Sequence, residues 1–274
     1  MEHRALLLSA VHASRGATFT IEVLTRSAHA QGCDLDMGSL AFALLRDDHI
    51  IVAADRRHTR GDLAANYRND VGFKTMTILS DNGVLGFAGH DIGEQILIPA
   101  KNSGKLDGTS LESVAREFAD WSKARYRDCV PDFATIDRPP SVQFLLAGFA
   151  PSSNGTVATA YILQSPEFVP LIAQFPYRKF EIIGRSGHGA LYALHRFGEQ
   201  TKTVESGLRL AALVLSEISE CDTTIGGLPE LFVIQKGEKV AGLSEMASSR
   251  LDGWAKAAGE KLAKEILDPA GSEE

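Results

Sequence analysis

Within about fifty residues the chain sets out a hydroxyl, an acid, a lysine and a glycine turn in an order that could build an active site. Gly38-Ser39 puts a small residue before a hydroxyl, and Asp55 closes the apolar run His49 to Ala54. Lys74 follows a polar stretch, and Gly86-Phe87-Ala88-Gly89 ends another apolar segment. A serine hydroxyl has too high a pKa to attack an amide unaided, so a base must take its proton as the bond forms. If Ser39 becomes the first residue of a processed chain, its own α-amine is that base. Glycine at position 38 suits such a cut, because attack by the Ser39 hydroxyl on the preceding carbonyl needs a strained turn that glycine tolerates best.

Strands must hold these groups. Ser39 to Leu45 and His49 to Ala54 are short apolar runs joined by the polar turn Arg46-Asp47-Asp48, which predicts a hairpin with both strands largely buried and Asp55 at its end. Arg56 to Phe73 is polar, with Gly61-Asp62 and Asn69-Asp70 as turn signals, and reads as an irregular excursion. Thr75 to Leu79 and Val84 to Ala88 predict a second hairpin around Ser80-Asp81-Asn82-Gly83.

Beyond Gly89, Asp91 to Ile98 opens a helix that Pro99 is expected to disturb. Thr109-Ser110-Leu111-Glu112 reads as a capping box before an amphipathic helix carrying Leu111, Val114, Phe118 and Trp121 on one stripe. Val142 to Ala150 and Thr156 to Leu163 form another hairpin, and Phe180 to Ile183 is a short strand. Helices follow at Ala190 to Phe197 and Val204 to Ile218, then a strand from Glu230 to Ile234. A tail helix from Leu243 to Ile266 carries the stripe Leu251, Trp254, Ala258 and Leu262. Hairpins dominate over βαβ alternation. The expected fold is therefore α+β: a four-layer αββα sandwich of two antiparallel sheets flanked by helices. Residues 1–38, with one candidate strand from Thr18 to Leu24, read as a leader or propeptide-like arm, 39–240 as the main domain and 241–274 as a helical extension.

At Ala53-Ala54-Asp55-Arg56-Arg57, with Gly38-Ser39 before them, the chain resembles the proteasome family of N-terminal-nucleophile hydrolases, most closely bacterial β-type subunits. The resemblance spans about residues 38 to 235. In catalytic subunits of that family a threonine follows a glycine at the processing cut. An aspartate stands sixteen positions on, then a lysine, then a glycine whose N–H faces the reacting carbonyl. Ser39, Asp55, Lys74 and Gly89 occupy those places, with an insertion in the Arg56 to Phe73 loop before the lysine. Ile183-Gly184-Arg185-Ser186-Gly187 resembles the family's Gly-Ser-Gly turn, and Asp222 with Gly226-Gly227 its late acid and glycine pair.

The resemblance implies a threonine/serine-type endopeptidase that matures by autoproteolysis. Ser39 would be the nucleophile, Lys74 its neighbouring cation, Asp55 the anion holding Lys74, Gly89 the oxyanion donor, and Asp222 and Ser186 supports of the Ser39 end. Thr59 would pair with an extended peptide, and His58 and Phe87 would line the specificity pocket. It also implies a homo-oligomeric ring, a peptide or unfolded protein as substrate and an ATP-dependent unfoldase as partner. Three departures stand against it: Ser39 replaces threonine, Arg185 is extra in the glycine turn, and Ile225 stands where the family places a serine. They point to a second reading, an unprocessed, non-catalytic scaffold or assembly subunit; a third is a small-amide amidohydrolase.

Composition excludes other classes. A net charge of −7 with no basic tract argues against nucleic acid as a partner. Cys33, Cys129 and Cys221 are odd in number and far apart, which fits a reducing, cytoplasmic compartment, and they form no zinc spacing. Cys33 is itself a candidate N-terminal nucleophile, yet its distance to Asp55 does not fit. His188 and His195 lie at helical spacing without an acid to complete a metal set. No cofactor, no metal and no membrane contact are expected.

Overall fold

Ala41–Leu45 (β1) and His49–Ala54 (β2) are buried at every position, as strands covered on both faces must be. In the computed structural model, which describes residues 39–62, 65–69, 74–132, 134–137, 139–153, 155–184 and 187–267, they lie at the centre of a five-stranded antiparallel sheet. Its order is β10-β1-β2-β11-β12, where Phe180–Ile183 is β10, Glu230–Gln235 is β11 and Ala241–Gly242 is β12. A second antiparallel sheet runs in sequence order through Thr75–Ile78 (β5), Gly83–Gly89 (β6), Val142–Ser152 (β7), Gly155–Gln164 (β8) and Leu171–Gln174 (β9).

Strand alternation sends side chains into separate layers. Ala43 and Val52 of the first sheet meet Val84, Leu145, Ala147 and Ala160 of the second in a layer of mostly small side chains. Phe42, Leu44 and Ile51 point the other way, onto Gly187–Phe197 (α3) and Val204–Cys221 (α4). Leu85, Phe87, Phe144 and Leu146 of the second sheet pack beneath Ile92–Asn102 (α1) and Leu111–Cys129 (α2). Helices, sheet, sheet, helices is the expected four-layer α+β sandwich. A fifth helix, α5, spans Glu245–Leu267. Of the two units into which the chain divides, everything that follows concerns Asp36–Lys256.

Several elements differ from expectation. The stretch read as an irregular excursion holds a two-stranded ribbon, His58–Asp62 (β3) against Ala65–Asn69 (β4). The hairpin between β5 and β6 does not turn on Asn82-Gly83: Leu79, Ser80 and Asp81 take the positive φ angles, and Gly83 already pairs with Ile78. Helix α1 passes through Pro99 to Asn102, Pro99 lying in its last turns where one lost backbone bond is tolerable. The capping box of α2 uses Ser110 and Ser113, shifted from Thr109 and Glu112 because Ser110 holds the extended N-cap conformation. On α5 the buried positions within this unit are Ser248 and Ala255; Trp254 is 39% exposed under the Arg209 guanidinium. Strand β9 had no clear signal among Ser165 to Pro176. Residues 1–38, with the candidate strand Thr18 to Leu24 and Cys33, lie outside the described residues.

Candidate active site

The β1–β2 register explains the sixteen-residue spacing. Ala41 pairs with Ala54, so the ladder continues one step outward to set Leu40 opposite Asp55, whose N–H donates to the Leu40 carbonyl at 3.1 Å. The Leu40 N–H donates in turn to Asp55 Oδ1 at 2.9 Å. Ser39, one residue before, is 3% exposed and stands one peptide from the acid. Its carbonyl is pressed against Gly184 at the end of β10, where φ is +108° and an added Cβ would come within 1.9 Å of that oxygen.

Lys74, immediately before β5 on the other sheet, is 1% exposed and gives its Nζ to both Asp55 oxygens, at 2.8 and 2.9 Å. Burial lowers the lysine's pKa and raises the aspartate's. The opposing charge, together with the N–H groups of Leu40 and Gly226, works against the shift at Asp55. Gly226 donates to Asp55 Oδ2 at 3.4 Å, while its carbonyl accepts from the N–H groups of Arg56 and Arg57. The Arg57 guanidinium then ties down the Thr223 and Ile225 carbonyls, at 3.0 Å each. The turn after α4 is thus fastened to the residues following Asp55.

Strand β6 lies over this end of the first sheet: a Cβ on Gly86 would stand 3.5 Å from the Ala41 Cβ and 3.9 Å from the Lys74 carbonyl. Three residues on, Gly89 ends the strand with φ +105°, and a Cβ there would strike the Ser141 carbonyl at 2.2 Å. Only glycine fits that position. Asp222 caps the C-terminal end of α4 and takes the Thr224 N–H at 2.9 Å and its hydroxyl. Ile225 is fully buried beside α3 and α4.

The structure therefore gathers Ser39, Asp55 and Lys74 at one end of the sandwich, with the Gly86–Gly89 strand above them. Phe87 does not belong with them. Strand alternation turns its ring away from the sheet interface and into the core under α1, 2% exposed and against Phe144. His58 and Thr59 begin β3, but their side chains, like the whole of Ser186, lie outside what is described. His195 packs edge-on against Phe180. Among the described residues no cluster of His, Cys, Asp and Glu could hold a metal, and no helix is long and apolar enough to cross a membrane.

One residue of this end gave no motif. Glu230, the first residue of β11, is 4% exposed and accepts from the Lys74 N–H at 3.0 Å and the Thr75 hydroxyl at 2.6 Å. Its other oxygen lies 3.5 Å from Arg56 Nε. A lone acid at the start of an apolar strand, after Pro229, is the signal that could have found it.

No family model matches the sequence, and no curated protein does. Solved structures do. Anbu from Yersinia bercovieri, described as an ancestral beta-subunit, aligns at 13% identity with a TM-score of 0.64, over 85% of this chain and 99% of that one. A mutant of Anbu from Hyphomicrobium sp. strain MC1 aligns at 16% identity and TM-score 0.62, over 83% and 97%. Another structure of Hyphomicrobium Anbu gives 16% and 0.60, over 82% and 97%. At such identities the likeness is one of fold, and the fold this chain shares with them is the four-layer αββα sandwich.

Proposed function

We propose that the chain is a proteasome-like N-terminal-nucleophile peptidase, with Ser39 as nucleophile after cleavage of the Gly38-Ser39 bond. The observation that carries the reading is the buried Asp55–Lys74 pair, 2.8 Å apart, anchored to the amide that follows Ser39. A fully desolvated ion pair is a poor device for stability, and its place beside a candidate nucleophile gives it a chemical use. In the proposed reaction the Ser39 hydroxyl attacks the peptide carbonyl and its proton passes to the freed α-amine. The adjacent Lys74 ammonium lowers the basicity of that amine and keeps it neutral enough to serve. The Gly89 N–H supports the oxyanion, a contribution of about 3 kcal/mol for one such donor. The amine then protonates the leaving nitrogen, and water hydrolyses the resulting ester.

The substrate would be an extended peptide added as a strand beside Thr59 and Gly89. A homo-oligomeric ring, fed by an ATP-dependent unfoldase in the cytoplasm, would sequester the site. The exposed apolar side chains Leu191, Tyr192 and Phe197 on and beside α3, and Val169, Leu171 and Ile172 at the edge strand β9, offer surface for such contacts. Intact mass spectrometry of purified protein tests the reading: a chain beginning at Ser39 is expected, and a uniform full-length chain overturns it. In that outcome the second reading, a non-catalytic scaffold subunit, takes over. It is favoured by Ile225, whose buried aliphatic side chain supplies no hydroxyl where the family's serine would support the amine.

A further inference from the structure

We infer that Glu230 is a positioning residue for Lys74, fixing the start of β5 against the first sheet so that the lysine ammonium stands beside Asp55. The inference rests on the peptidase reading for its use, but its geometry is independent of it. Glu230 belongs to the first sheet and pairs with Ala54, so Asp55 and Glu230 issue from neighbouring strands at the same end. Lys74 and Thr75 belong to the second sheet, which faces it. A single Glu230 oxygen accepts both the Lys74 N–H and the Thr75 hydroxyl, so one carboxylate holds two consecutive residues across the gap between sheets.

Lys74 leads into the edge strand of its sheet: among the described residues β5 pairs with β6 on one side. The backbone of Lys74 is fixed at two points: its N–H by Glu230, and its carbonyl by the Phe87 N–H at 2.9 Å. These bonds set the origin of the side chain. The ammonium is then aimed by its bonds to both Asp55 oxygens. The remaining Glu230 oxygen faces Arg56, which turns back to Glu245 at 3.1 Å, so the brace is itself held by a cation. Burial also disfavours the charged carboxylate, and the two hydrogen bonds and Arg56 counter this.

Glu230→Gln and Glu230→Ala separate the acceptor from the charge. Glutamine keeps an oxygen that can take both bonds, whereas alanine leaves the Lys74 amide and Thr75 hydroxyl without an acceptor. Two readouts apply to the full chain at a temperature where melting curves show each variant folded. The first is acetylation of Lys74 by acetic anhydride, followed by mass spectrometry, with the 76% exposed Lys239 as internal control. Losing hydrogen bonds of this kind should raise Lys74 acetylation about tenfold in Glu230→Ala, while Glu230→Gln stays near the unchanged protein. The second is peptide turnover: in Glu230→Ala, kcat falls about a hundredfold, as expected for a misplaced group, with KM nearly unchanged and activity largely rescued in Glu230→Gln.

Thr75→Val removes one of the two bonds. It gives a smaller rise in Lys74 acetylation and decides the matter if Glu230→Ala does not fold. The inference is overturned if Lys74 stays protected in Glu230→Ala and Thr75→Val, or if glutamine is as damaging as alanine. Absence of turnover in the unchanged protein would defeat the peptidase reading instead, and Lys74 acetylation would still decide the role of Glu230.

Discussion

The interface between the two sheets is built in two different ways. Through its middle it is a layer of alanines and aliphatics, with Ala43, Val52, Val84, Leu145 and Ala160 almost fully enclosed. At one end the same two sheets are joined by charge: Asp55 to Lys74, and Glu230 to Lys74 and Thr75. The middle stabilises the fold through apolar burial, which small side chains permit at close sheet separation. The charged end loses solvation for every group it buries and holds only because each group meets a partner. Packing alone would favour aliphatic residues there. The proposed chemistry would account for that difference.

Ser39→Ala should break the comparison most sharply. Removing the hydroxyl is expected to lower peptide turnover by at least about a thousandfold and to block processing, while the melting temperature hardly moves, since neither layer of the interface is touched. Peptide hydrolysis persisting in this variant would take the chemistry away from the charged end.

Lys74→Met addresses the charged join itself. Leaving Asp55 buried without its cation should cost about 3–5 kcal/mol at neutral pH, measured by denaturant unfolding. The loss should shrink as pH falls. The Asp55 carboxyl is raised by burial, so the folded state keeps its proton where the unfolded chain, with an aspartate near 3.9, has lost it. A carboxyl raised in this way contributes stability at low pH that disappears as pH rises through its folded-state value. Without Lys74 that value rises further, and the penalty grows with pH. Leu145→Ala, in the apolar middle, should cost about 3 kcal/mol with no such pH dependence. Equal pH profiles for the two variants would erase the distinction between middle and end.

Much of this end was legible because it follows from local pairing. A hairpin with a three-residue polar turn puts the residue after β2 opposite the residue before β1, so Asp55 next to Ser39 is a consequence of strand length and register. Gly89 taken alone reads as a turn glycine, and its φ of +105° is that of one; its role as a donor comes only from the family resemblance. Lys74 was harder: the polar ribbon β3–β4 between it and Asp55 lacks the apolar alternation that announces strands, and its sequence reads as loop. Phe87 was misplaced because the motif gave its position but not the strand face, which alternation decides. Glu230 had one local sign, an acid opening an apolar strand after Pro229, but its partners are the backbone of Lys74 and the hydroxyl of Thr75, more than 150 residues away. That sign marks the acid and says nothing of what it will meet.

Gly184→Ala offers a finer cut between architecture and chemistry. Gly184 holds φ +108°, which costs a residue with a side chain about 1–3 kcal/mol. The added methyl would also meet the Ser39 carbonyl at 1.9 Å, well inside contact, and the nearest atoms are backbone that cannot rotate away. The strand end must therefore shift, and Ser39 with it, because Gly184 itself is tethered from the second sheet by the Gln143 side chain at 2.7 Å. The apolar middle begins two residues further in, where Ala41 pairs with Ile183, and should absorb little of that displacement. Unfolding should show a modest loss of stability, of the order given by the strained φ, while turnover falls by about a hundredfold, the effect of a displacement near 1 Å at a nucleophile. A loss of turnover no greater than the loss of stability predicts would mean that the position of Ser39 is not what the charged end maintains.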